Sequence, residues 1–108
     1  MDNKSAVGKM ISHIEKIQDY IKDLDYDGFA KNEMIVEACA FNLSQLGELS
    51  HKLEESFMQK NPSIPWKAIY GMRNKIIHDY DGINLKVVWE TITEDLPSLS
   101  AELAKAKF

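Results

Sequence analysis

The chain has a single cysteine, Cys39, among 108 residues. An internal disulfide is excluded, and side-chain packing alone has to hold the fold. Prolines number three and glycines five, and no glycine-rich stretch has the form that cradles a phosphate. No apolar run approaches the roughly 20 residues of a membrane span. The opening MDNKSAVGKM lacks the apolar core of a signal sequence, so a cytoplasmic protein is expected. Positive charge is not in excess: 13 Lys and Arg stand against 17 Asp and Glu, a formal net charge of -4. That speaks against a general duplex-DNA binder but leaves room for a local basic site, for which Lys60, Lys67, Arg73 and Lys75 are the candidates. The three histidines, His13, His51 and His78, are scattered. No carboxylate–histidine cluster has ligand spacing, and no Ser-His-Asp or Cys-His arrangement is identifiable, so neither a metal nor a cofactor is expected.

What is present is an ordinary globular composition, 44% hydrophobic and 28% charged, with one domain spanning 1–108. Apolar residues recur at three and four rather than two, which gives an all-α chain. A first helix is expected over about 5–24, with Val7, Met10, Ile11, Ile14, Ile17, Ile21 and Leu24 on one stripe. The loop DLDYDG follows, with Asp27 or a neighbour capping the next helix. That second helix is expected to be long, about 28–58. Its seam is Ile35, Cys39, Asn42, Leu46, Leu49 and Leu53. Asn42 in the seam either fixes register or faces a polar pocket. NPSIP ends the helix. A third helix should run from Pro65 or Trp66 to near Tyr80, where Asp81-Gly82 stops it. The last, about 84–106, carries Leu85, Val88, Ile92, Leu96, Leu99 and Leu103, with Pro97 kinking or splitting it. The expected architecture is an up-and-down bundle of four to five helices. His13 and His51 read as solvated positions, Cys39 as core, and Met34, Met58 and Met72 as packing residues. Trp66 and Trp89 read as core or dimer contacts rather than base-stacking platforms.

The third helix holds the residues that suit chemistry, in RNKIIHDY, Arg73 to Tyr80. Its apolar stripe runs Trp66, Ile69, Tyr70, position 73, Ile76, Ile77, Tyr80, and position 73 is arginine. A guanidinium among apolar neighbours requires either an ion-pair partner, such as Glu48 on the second helix, or an open polar cleft. Asn74 and His78 are four apart and share a face, whereas five residues place His78 about 140° from Arg73. His78 stands in the last turn, either as a helix-end residue or as a proton carrier. Histidine with arginine suits phosphodiester cleavage: the imidazole moves a proton near neutral pH and the guanidinium fork matches phosphate oxygens. RNA would supply its own 2′-hydroxyl nucleophile.

The segment IPWKAIYGMRNKIIHDYDGINLKVVWETITEDLP resembles the signature half of HepT-like proteins of the HEPN superfamily. The resemblance rests on Arg73, His78 and Tyr80 in the pattern Arg-x4-His-x-Tyr, with Asn74 after the arginine. Trp66, Gly71-Met72, Val88-Trp89, Asp95-Leu96-Pro97 and Gly47-Glu48 extend it. It implies a HEPN-like fold and a metal-independent ribonuclease, the toxin of a type II toxin–antitoxin pair. In that reading a homodimer brings two motifs into one cleft. His78 would be the general acid and base, Arg73 would hold the phosphate, and Asn74 would orient one of them. The implied partner is a minimal nucleotidyltransferase antitoxin of the MntA kind that transfers AMP to Tyr80. Two other readings stay open: a non-catalytic HEPN adaptor that binds a nucleotide or the partner, and a plain dimeric bundle with Arg73 in a structural ion pair.

Overall fold

The computed structural model describes residues 1–78 and 84–108, and the side chains of 1–72 and 84–108. Among the described residues every regular element is helical. Helix α1 spans Asn3–Ile21, capped by Asp2, whose carboxylate accepts from the Ser5 N–H at 2.7 Å. Its stripe is buried as expected through Val7, Met10, Ile14, Ile17 and Ile21, while Ile11 and Leu24 lie partly buried beside it.

The single long helix expected over 28–58 is three helices: α2 (Tyr26–Lys31), α3 (Glu33–Ser50) and α4 (Glu55–Lys60). Asn32 makes the first break. Its backbone leaves the helical region at φ −101°, ψ 89°. Its N–H closes α2 onto the Phe29 carbonyl, and its side chain accepts from the Ile35 N–H to open α3. A short amide side chain competes for backbone partners, which favours a cap over a helix interior. The second break lies at 51–54, where Lys52 and Leu53 donate three residues back and Glu54 turns extended. The cap of α2 is Asp25, accepting from Gly28 N–H at 2.8 Å, while Asp27 sits within the first turn. The heptad seam survives the breaks: Cys39, Asn42, Leu46, Leu49 and Leu53 are buried and Ile35 packs against them. Met34 departs from its expected packing role and is 76% exposed.

Helix α5 spans Trp66–His78, so Tyr80, expected near its end, lies outside the described residues. The final segment is α6 (Leu85–Glu90), a π-helical turn (Thr91–Asp95) and α7 (Leu96–Ala104). Pro97 takes the first turn of α7. It has no N–H to give and its ring crowds the carbonyl four residues back. The widened turn just before it, in which the Leu96 N–H reaches the Thr91 carbonyl, absorbs that clash. Val88, Ile92, Leu96, Leu99 and Leu103 stay buried through the irregularity.

Helix α3 is the central rod, packed against α1 on one side and α5 on another, and α1 also meets α7. Across the α1–α3 contact, His13 and Asn42 are hydrogen bonded at 2.6 Å, so His13 is half-buried and paired rather than solvated. Asn42 is paired within the seam, through this bond and one from its Nδ2 to the Ala38 carbonyl. Trp89 is a core contact: its ring meets Phe29 at 5.1 Å and Tyr26 at 6.4 Å, tying α2 to α6.

Candidate functional site

The first two turns of α5 fix where the motif comes. Pro65 starts the helix by offering its carbonyl to the Ile69 N–H. Trp66 anchors it: its indole N–H lies 3.1 Å from the Met58 carbonyl and 3.0 Å from the Asn61 carbonyl, and its ring meets Phe57. Both carbonyls lie at the C-terminal end of α4, where each also accepts one backbone N–H, from Asn61 and from Ile64. Trp66 is thus a core residue with a polar task. Ile69 is fully buried, and Tyr70 is half-buried with its hydroxyl 3.5 Å from the Met58 sulfur. The ring of His51, at the C-terminal end of α3, lies 4.5 Å from the Tyr70 ring. His51 is therefore exposed, as expected, but engaged on one face. With Tyr70 set against the end of α3, α5 runs back along α3 in the antiparallel sense.

The remaining turns carry Arg73, Asn74 and His78 on continuous helical backbone. Their side chains, and all of Tyr80, lie outside the described residues. The helical register still assigns faces. Ile69 and Tyr70, on the side that packs toward the core, precede position 73 by four and three residues. Lys67 and Gly71 are exposed, and among the described residues a Cβ built on Gly71 meets nothing within 4 Å beyond its chain neighbours and its own helix backbone. From them the steps of four, three and four reach Asn74 and His78. The helix thus places Arg73 on one line and Asn74 with His78 on its neighbour. Glu48 on α3 is half-buried, and its expected pairing with Arg73 falls on an undescribed side chain.

Of the basic patch expected from Lys60, Lys67, Arg73 and Lys75, the side chains of Arg73 and Lys75 lie outside the described residues. Lys60 ends α4, and Lys67 is exposed on the first turn of α5. The residue that composition gave no reason to single out is Asn61. It is 7% exposed; its Nδ2 donates to the Phe57 and Lys107 carbonyls and its Oδ1 accepts from the Lys107 N–H. A contact spanning 46 residues leaves no local pattern to find it by. Cys39 is core, as expected, and burial pushes its thiol up to about 11. Among the described residues no three His, Cys, Asp or Glu side chains are grouped to hold a metal ion, and no helix is long and apolar enough to cross a membrane.

With the helices and the motif's register in place, the comparisons give the class. The family model for HepT-like ribonucleases matches residues 10–106. The chain is 32% identical over 105 residues to "Probable ribonuclease HepT" of Thermococcus cleftensis, covering 97% of this chain and 96% of that one. It is 35% identical over 104 residues to "Putative RNase MJ0125" of Methanocaldococcus jannaschii, covering 96% and 90%. It is 32% identical over 94 residues to "Putative RNase TTE0752" of Caldanaerobacter subterraneus subsp. tengcongensis, covering 87% and 84%. This chain belongs to the HepT-like ribonuclease family. No solved structure matches it.

Proposed function

We propose that this protein is a metal-independent endoribonuclease of the HepT type and the toxin of a type II toxin–antitoxin pair. The carrying observation is the family match over residues 10–106, which covers an α5 whose backbone is helical through Arg73, Asn74 and His78. In this reading His78 removes the 2′-hydroxyl proton and returns one to the leaving 5′-oxygen. Arg73 stabilises the charge that builds on the phosphoryl oxygens, and Asn74 orients the imidazole or the phosphate. No metal or cofactor is assigned to the reaction.

Arg73 and His78 lie on different lines of one helix, so a single copy presents them apart. A homodimer answers that geometry by offering Arg73 of one copy to the cleft that holds His78 of the other. An exposed apolar pair supports it: Met34 and Phe41, seven residues apart on α3, are 76% and 61% exposed. Antiparallel helices of equal rise, in contact at His51 and Tyr70, bring Leu43, two residues from Phe41, to about the level of His78. A nucleotidyltransferase antitoxin is the proposed partner. AMP placed on Tyr80, two residues from His78, adds phosphate charge that repels an RNA phosphate.

The test is cleavage of RNA by purified wild type, His78→Ala and Arg73→Ala, in the presence of a chelator. General acid–base and single-donor losses each cost about two to four orders of magnitude in rate. Variants as active as wild type, or an inactive wild type, would sink the proposal in favour of a non-catalytic adaptor.

A further inference from the structure

Beside the start of α5 lies an open cavity of about 510 Å³. Its polar lining is Lys60, Asn61, Ser63, Ser98, Glu102, Lys105 and Lys107, from three separate stretches of chain. Three lysines thus border a cavity that one glutamate borders. The whole chain has only 13 basic side chains against 17 acidic ones, so three around one cavity is a local reversal of its charge. The Lys60 ammonium also reaches the Phe108 carbonyl at 3.4 Å, which holds it at this edge.

The convergence is built. Asn61 uses both amide hydrogens and its oxygen to bind the segment after α7 to the end of α4. Phe108 stacks on Phe57 at 5.1 Å, 18° from parallel, and fastens the same segment. The backbone that carries Lys105 and Lys107 is thereby held against the end of α4. Like charges held together repel, and a surface with no use for them has no reason to gather them. What recovers that energy is an anion with several oxygens.

Position says which anion. Ile64 lines the cavity and lies two residues before α5. At about 1.5 Å per residue, His78 stands roughly 20 Å farther along the helix, a span that a single strand covers in a few nucleotides. Between the two ends lie Lys67 and Gly71, both exposed. We propose that this cavity is a second, non-catalytic phosphate subsite, which holds the RNA backbone a few nucleotides from the cleaved bond. The proposal rests on the ribonuclease reading above and adds the place where the rest of the strand docks.

The experiment is fluorescence-anisotropy binding of 2′-O-methyl oligonucleotides, which lack the nucleophile and stay intact, in a long form and a form of three nucleotides. The protein is wild type, a K60S/K105S/K107S variant, and a K9S/K16S/K22S control that removes as much charge from exposed positions on α1 and at its C-cap. Thermal melting confirms that each folds. The expected result is roughly tenfold weaker binding of the long strand by the cavity variant alone, with the short strand little affected. The slope of log K against log salt should fall by about 2, since each single-strand phosphate contact contributes about 0.7. Equal losses in both triple variants, or wild-type binding by the cavity variant, overturn the subsite while leaving the ribonuclease reading intact. Calorimetric pyrophosphate binding that the cavity variant loses, with RNA binding unchanged, would make this a small-anion site and also overturn it. A wild type that binds neither strand overturns the underlying reading together with the subsite.

Discussion

His13 of α1 and Asn42 of α3 meet through a 2.6 Å hydrogen bond across the contact between those two helices. The Asn42 amide donates to the Ala38 carbonyl at 2.8 Å, so its oxygen faces the imidazole and Nδ1 is the nitrogen that carries the proton. The pair is the polar register mark of an otherwise apolar seam. Asn42→Leu keeps the volume and strands the imidazole N–H, at a cost of about 1–3 kcal/mol in urea unfolding. The double variant His13→Leu with Asn42→Leu removes both partners and should recover much of that loss. A neutral Asn42→Leu would show that the bond contributes nothing to the fold.

Trp66 joins the two ends of the connection between α4 and α5 through one N–H shared by two carbonyls. Trp66→Phe keeps a ring against Phe57 but removes the indole N–H that ties the two carbonyls together, leaving each with its one backbone donor. We expect a loss of about 1 kcal/mol or somewhat more, read as a lower midpoint with an unchanged slope in denaturant titration. Cleavage should fall by more than stability alone explains, because α5 carries Arg73 and His78.

Cys39 is fully buried, and burial pushes its thiol up to about 11 from 9.0. At neutral pH the folded protein should react slowly with iodoacetamide, and in denaturant quickly. The folded state holds its proton more tightly than the unfolded state. Its contribution to stability is complete below about pH 9 and is lost as pH rises toward 11, by about 1.4 kcal/mol per pH unit within that window. Alkylation at equal rates in both states would contradict this placement.

Phe41 and Met34 are exposed on α3, where a lone monomer gains nothing from them. Phe41→Glu places a charge at the centre of the proposed dimer face. Sedimentation should show a monomer, helical content should be unchanged, and RNA cleavage should fall with dimer content rather than with fold. A variant that remains dimeric would move the interface elsewhere.

Much of this protein was decided locally. The 3.6-residue recurrence of apolar side chains in Val7–Ile21 and Cys39–Leu53 set the helical class and picked the core, because a helix can bury only one stripe. The spacing of Arg73, Asn74 and His78 set their angular relation, because all three share one continuous helix. What periodicity did not determine was where the helices break. Asn32 and the turn at 51–54 interrupt a stripe that continues through them, since side-chain capping and tight turns cost little and leave the apolar spacing intact. Pro97 announced an irregularity, but only packing on α1 decided that a widened turn before it would keep Ile92 and Leu96 buried. The pairs His13–Asn42, His51–Tyr70 and Asn61–Lys107 join residues 29, 19 and 46 positions apart. Hydrogen bonds and ring contacts at such separations depend on how rods are laid side by side. That arrangement also gathers Lys60, Lys105 and Lys107 around one cavity, which their places in the chain would never have suggested.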